Sequence, residues 1–433
     1  MNSVLALLRK SFKNEISIAL LLSTLAVAIQ TCRSNKAFFY SDDYTFIRLQ
    51  SHAITEVFGQ FNGHFMPLIQ VIYKIMISLF GIQSYFPFLI LSALCNLFLA
   101  IATIHFLKFN NFSKPALILV PTLILIVPFS AHTIFWTATA LNLVAVGLLL
   151  IHTTLPTNRA LVISTIMMSL FGIGIGGYGL PIVFGIFAYN FFRRKIEPTI
   201  ASLVMIIGSL LIYANMQTSN NVEVNKSVMK WILVNFQILL STYTPGFSQI
   251  SVINLAFELT FYIGITLVVL NTLYRGNKIL SPVTSNMISV LVTLITFVSM
   301  IAISRKGAED ITASRYVVIA TSLFTVFCLL TCQDLDLRFG FSEKRINFQK
   351  TLIVTLLFAS LFRFFYWWQA PLDINNQSTI SREYVAQAVC DWRVGKTEAI
   401  EYSQIDGLIY FQRTLDTNQW RKFAEVNCPV TAK

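Results

Sequence analysis

The chain is a succession of long apolar runs joined by short polar connections. Residues 16–31, 85–107, 250–273 and 351–368 are apolar on every side. They show neither the alternation of a half-buried strand nor the single stripe of a surface helix. Each is about as long as a helix must be to cross the ~30 Å hydrocarbon layer of a bilayer. Together with the other apolar runs they predict eleven transmembrane helices, near 16–33, 84–107, 116–130, 133–152, 160–176, 179–192, 198–216, 250–273, 281–303, 316–332 and 351–368. Two further stretches, 65–81 and 228–240, read as amphipathic helices lying at the outer interface, the first because it carries Lys74. The expected fold class is an all-α polytopic membrane protein with interfacial helices in its outer loops.

Charge sets the orientation. Arg9, Lys10 and Lys13 precede the first span, and the connections threaded to the same side carry Lys108 and Lys114, Arg159, Arg193-Arg194-Lys195, Arg275 and Lys278. Basic loops are retained in the cytoplasm, so the N-terminus is expected there. Residues 1–368 then form the membrane module, with a first outer loop at 34–83, and 369–433 form an external C-terminal tail. That tail is expected to be a small α/β cap behind the Trp367-Trp368 interfacial pair, with a helix near 382–392 and strands at 397–402 and 407–412. In a bacterium this threading places the chain in the inner membrane with its C-terminus in the periplasm.

Composition narrows the picture. Hydrophobic residues make up 55% and charged residues only 12%, against roughly 25% charged in soluble domains. The +12 net charge would suggest nucleic acid in a soluble protein. Here the basic residues sit in membrane-flanking loops with no basic stripe interleaved with aromatics, so nucleic acid is not an expected partner. Of the six cysteines, Cys95, Cys328 and Cys332 fall in apolar runs, while Cys390 and Cys428 fall in the tail and would pair only in an oxidising compartment.

Candidate chemistry gathers at the outer ends of the spans. The first outer loop opens with Phe39-Tyr40-Ser41-Asp42-Asp43-Tyr44 and closes with Asn62-Gly63-His64-Phe65-Met66-Pro67-Leu68. Neighbouring carboxylates point in different directions, so one of Asp42 and Asp43 could enter a site while the other caps a helix. The plainer alternative is a capped surface helix over 44–58. A second cluster, Arg305-Lys306 with Glu309 and Asp310, leads to Arg315-Tyr316 at the start of a late span. Arginine is unfavourable at a helix start, but it suits a bound phosphate or, alternatively, lipid headgroups. Glu258 lies several residues inside a span, where an acid either works or pairs with a neighbouring helix. The Gly172-Ile173-Gly174-Ile175-Gly176-Gly177 run matches a dinucleotide fingerprint in letters only. Between two membrane helices it reads as close packing or a tight outer turn.

These residues resemble the GT-C glycosyltransferases: one span, an outer loop opening on an acidic pair, Gly-His-Phe-x-Pro-Leu, an interfacial helix ending Leu79-Phe80-Gly81, Gly-Tyr-Gly-Leu-Pro at 177–181, and a late Ser-Arg-Tyr at 314–316. Length, cytoplasmic start and external tail are similar to the bacterial and phage serotype-converting O-antigen glucosyltransferases. The resemblance implies transfer of a sugar, expected to be glucose, from a polyprenyl-phosphate donor to a lipid-linked or polymeric glycan. Asp42 or Asp43 would be the base, Arg315 the phosphate-binding cation, and Arg305 and Lys306 its alternates. Tyr44, His64, Glu258, Glu309, Asp310 and Tyr316 would line the substrate side. Family members differ over a divalent metal (Mg or Mn), so metal ligands stay unassigned, although Glu309 or Asp310 would complete such a site. A flippase and a polyprenyl-phosphate sugar synthase would be its working partners. The rival readings are a polysaccharide polymerase or ligase, and a glycan transporter or flippase. The absence of an obvious inverted repeat and the outward placement of the polar residues argue against the transporter.

Overall fold

The computed structural model describes residues 14–34, 37–39, 42–48, 58, 60–61, 64–126, 137–176, 179–215, 281–304, 319, 322–331, 333, 370–394 and 418–428. These are mostly helical. In chain order they form α1 (Glu15–Arg33), α2 (Asp42–Arg48), the two-residue strands β1 (Gln60–Phe61) and β2 (His64–Phe65), α3 (Pro67–Phe80) and α4 (Phe86–Phe109). Then come α5 (Lys114–Ile126), α6 (Thr137–His152), α7 (Asn158–Gly174), α8 (Leu180–Phe192), α9 (Ile196–Asn215), α10 (Pro282–Ser304), α11 (Ser322–Thr331), α12 (Ala370–Arg393) and α13 (Asn418–Asn427). Local chemistry starts several of them. Asn14 accepts from the Ile16 amide at 3.1 Å and Thr157 from the Ala160 amide at 3.2 Å, while Pro67, Pro87 and Pro181 occupy first-turn positions that need no amide donor.

Cross-helix polar contacts fix the direction of each helix. At one end of the bundle Lys114 pairs with Glu15; at the other, the Gln30 amide donates to the Leu125 carbonyl at 2.6 Å. Thus α1 and α5 run parallel. Helix α4 runs back between them, and α6 follows α4's direction, since Ser92 meets Thr137 at 3.0 Å and His105 meets Thr154 at 3.0 Å. The Tyr189 hydroxyl donates to the Thr153 carbonyl at 2.9 Å, and Asn190 donates to Ser202 at 3.0 Å, so the end of α8 and the start of α9 join the end of α6. Asn286, near the start of α10, donates to Asn110 at the end of α4, and Gln333, just past α11, does the same. One end, the basic end, therefore carries Lys108, Lys114, Arg159, Arg193, Arg194 and Lys195. We call the other the capped end.

The exterior of the bundle is apolar. Leu21 and Leu25 of α1, Ile163, Met167 and Leu170 of α7, and Ile200, Val204 and Leu211 of α9 are all exposed, while Ser92, Asn96, Thr103, Thr165, Asn190 and Ser289 are buried. A water-facing monomer rarely shows such a belt, whereas small and polar residues between helices suit a lipid solvent. Among the described residues three helices are long and apolar enough to cross a membrane: Glu15–Cys32, Phe86–Phe109 and Pro282–Met300. The other helices of the bundle are shorter apolar ones.

Helix α3 lies along one end of the bundle. Its start packs Leu68 against Gly174, its middle places Tyr73 on Phe88, and its end feeds α4 through Tyr85, all at the capped end. Its buried face holds Ile69, Gln70, Tyr73 and Ile77, and Ile75, Leu79 and Phe80 are exposed. The glycine run is a packing device. A methyl on Gly179 would land on the Gly172 carbonyl, and Gly176 adopts φ +97°, which closes the turn between α7 and α8.

The tail helices complete the cap. The helix expected near 382–392 is the second half of the longer α12, and α13 was not foreseen. The strands expected at 397–402 and 407–412 lie outside the described residues, as do the spans expected at 250–273 and 351–368 and the interfacial helix at 228–240. Cys390 and Cys428 form a disulfide that ties α12 to α13 around Val385, Val389, Trp420 and Phe423. Gln83 donates to the Lys422 carbonyl and accepts from Asn427, and Arg382 lies 5.9 Å from the Phe38 ring. The tail thus packs on the first outer loop.

Candidate active site at the capped end

The start of α2 places an acid inside an aromatic enclosure. Asp43 is fully buried, and the Tyr73 hydroxyl of α3 donates to its Oδ1 at 2.5 Å. That length belongs to a charge-assisted O–H···O⁻ bond. Phe46 lies 4.5 Å and Phe88 5.2 Å from the Tyr73 ring, centre to centre, and Tyr85 stacks on Phe88 at 5.2 Å. Phe39 meets both Tyr85 and Phe88 edge-on. Three separate segments, the exit of α1, helix α3 and the entry of α4, converge on one carboxylate. Burial first, and then the Asp43 charge, push the Tyr73 phenol well above its ordinary value. The phenol therefore stays a donor across the physiological range.

Burying a carboxylate is costly unless hydrogen bonds replace its water. An acid held this way is rigid in orientation and protected from bulk solvent. A positioned proton acceptor requires both properties.

The structure sorts the residues singled out above. Asp42 opens α2, one position before Asp43. Asp43, Tyr44, Phe46 and Ile47 are core residues, while Arg48 and Phe58 are exposed, so α2 is a helix with one face in the core. Tyr44, expected to line the substrate side, is fully buried, donates to the Phe39 carbonyl at 2.9 Å, and packs beside Trp420. The physical reason is the cap, whose aromatic residues cover it. His64 lies on β2, its backbone paired with Phe61 of β1. Arg305, Lys306, Glu309, Asp310, Arg315, Tyr316 and Glu258 lie outside the described residues. Helix α10 nevertheless ends at the capped end at Ser304, and α11 runs from that end towards Gln333.

Among the described residues no group of three His, Cys, Asp or Glu side chains could hold a metal ion. No family model, curated protein or solved structure matches the chain. Sequence reading missed Tyr73. The signal was present: Ile69, Tyr73 and Ile77 share one helical face, and a buried tyrosine needs an acceptor for its hydroxyl.

Proposed function

We propose that the chain is a multi-pass membrane glycosyltransferase of the GT-C type, working at the capped end on the outer side of the membrane. It crosses eleven times, with its N-terminus in the cytoplasm and its C-terminus in the periplasm of a bacterial inner membrane. The observation that carries this reading is Asp43: a buried carboxylate, oriented by a phenol, at the end of an apolar-faced bundle opposite the basic loops. The relative directions of α1, α4, α5, α6, α8 and α10 are compatible with the threading expected from the basic loops. The Cys390–Cys428 bridge on the same face suits an oxidising compartment.

In this reading a polyprenyl-phosphate sugar supplies the donor and a periplasmic glycan such as O-antigen the acceptor hydroxyl. That oxygen attacks the anomeric carbon as the bond to the phosphate oxygen breaks, inverting the centre. The proton passes to a first-loop carboxylate, Asp43 first and Asp42 second, because a sugar hydroxyl is a poor nucleophile without a base. The departing lipid phosphate is met by Arg315, with Arg305 and Lys306 as alternates. Since Asp43 is fully buried, acceptor entry requires its enclosure to open.

The test is transfer of radiolabelled glucose from a polyprenyl-phosphate donor to purified O-antigen by the wild type, Asp42→Asn and Asp43→Asn. Loss in Asp43→Asn, with insertion and thermal unfolding close to wild type, is the expected result. Full transfer by both variants removes the first-loop acids from the reaction. A wild type inactive with a panel of sugar donors removes the transferase reading altogether.

A further inference from the structure

Three helices meet at the basic end around Asn110, the residue that closes α4. Its side-chain amide donates to the Phe106 carbonyl at 2.9 Å. A backbone carbonyl only accepts, so the Asn110 nitrogen is fixed and its Oδ1 faces away. The Asn286 side chain of α10 bonds that Oδ1 at 3.0 Å and must do so through its own nitrogen. Gln333 bonds the Asn110 backbone carbonyl at 2.6 Å, again necessarily through nitrogen. The amide orientations are thus dictated in sequence, and neither can be flipped without setting two oxygens against each other.

Two oxygens are stranded as a consequence. Asn286 Oδ1 and Gln333 Oε1 have no hydrogen-bond partner among the described residues, although Asn286 is 0% and Gln333 4% exposed. Each oxygen sits on an amide whose nitrogen bonds Asn110, so the three side chains form one polar island. The neighbouring hydroxyls are already used: Ser285 donates to Ser281, Ser289 to Gly185 and Thr331 to Phe327, all through backbone carbonyls.

We propose that this island is a binding site for a monovalent cation, with Asn286 Oδ1 and Gln333 Oε1 as ligands. The donor set is all neutral oxygen, which suits Na⁺ or K⁺; a divalent ion would call for carboxylates. The C-terminus of α4 places its negative dipole end here, and the start of α10 is capped by Ser281. A water is the competing occupant: the Asn110, Asn286 and Gln333 amides each keep a second N–H with which to donate to it. The bound cation pins α4, α10 and α11 together at the end opposite the candidate active site, independently of the transferase reading.

The test is thermal unfolding of the purified full chain in detergent, titrated with NaCl or KCl against choline chloride at constant ionic strength. A saturable upward shift of a few degrees with one alkali cation is expected, absent with choline. Gln333→Met should flatten the response. Gln333→Glu, which adds a charge without changing the shape, should bring half-saturation to an about tenfold lower concentration. Identical curves for the wild type in sodium, potassium and choline would overturn the proposal and leave a buried water as the occupant. So would a response that persists unchanged in both variants.

Discussion

At the scale of single residues, the contact between Tyr73 and Asp43 is the most consequential in the described structure. Removing the hydroxyl with Tyr73→Phe leaves the ring packing against Phe46 and Phe88 but withdraws a donor from a buried carboxylate. A cost of about 1–3 kcal/mol in stability is expected, since a buried acceptor loses a bond that water cannot replace. In the transferase reading kcat should fall with little change in KM, because the acid loses its orientation and not its substrate. The pH dependence has a definite sign. The folded phenol titrates above its unfolded value, so its contribution is complete below about pH 10 and disappears only as pH rises through the higher folded value. Unfolding compared between wild type and Tyr73→Phe should therefore show a constant difference from pH 6 to 9. A difference that vanished within that range would mean the phenol is not the donor. Asp43 itself was legible as a candidate in the sequence, because an acidic pair beside a membrane span stands out. Its partner was not, because nothing local to 42–44 indicates which distant tyrosine lies opposite.

At the scale of elements, the turn between α7 and α8 depends on glycine for two separate reasons. Gly176 supplies a positive φ, and the Gly172–Gly179 pair supplies an approach too close for any side chain. Gly179→Ala should force the helices apart and destabilise the protein by about 1–3 kcal/mol, the usual cost of overpacking. A shift in the unfolding midpoint of the purified chain checks it, and an unchanged midpoint would refute the close-packing account. Helix α3 teaches the reverse lesson. Its composition would allow a short span, yet Leu68, Tyr73 and the Tyr85 connection hold it at one end of the bundle. The interfacial reading rested on Lys74; the tertiary contacts hold the helix along one end of the bundle. The tail was less legible. The buried residues follow helical spacing, Val385, Ala388 and Val389 in α12 and Trp420, Phe423 and Ala424 in α13, but the disulfide and the contacts with Phe38 and Gln83 that place these helices join distant positions.

For the molecule as a whole, the polar contacts between helices amount to a topology that can be tested. Single cysteines introduced at Arg159, on the basic end, and at Gln387, on the exposed face of α12, should react with a membrane-impermeant maleimide from opposite sides. Labelling of both from one side would break the threading and, with it, the placement of the candidate site. The exposed apolar belt and buried polar interior are what a lipid solvent selects, since helices in a membrane associate through small and polar residues and not through greasy ones. Sequence alone pointed to a helical chain with segments long and apolar enough to cross a membrane, because hydrophobic length is a local quantity that a single segment carries. Only the tertiary structure decided that Asp43 is buried against Tyr73, that Tyr44 belongs to the core, and that the tail seals the first loop. It also decided that two amide oxygens near Asn110 are left without donors. Each of these depends on which residues meet from distant parts of the chain, and pairing at long range is the one property that hydrophobic pattern does not encode.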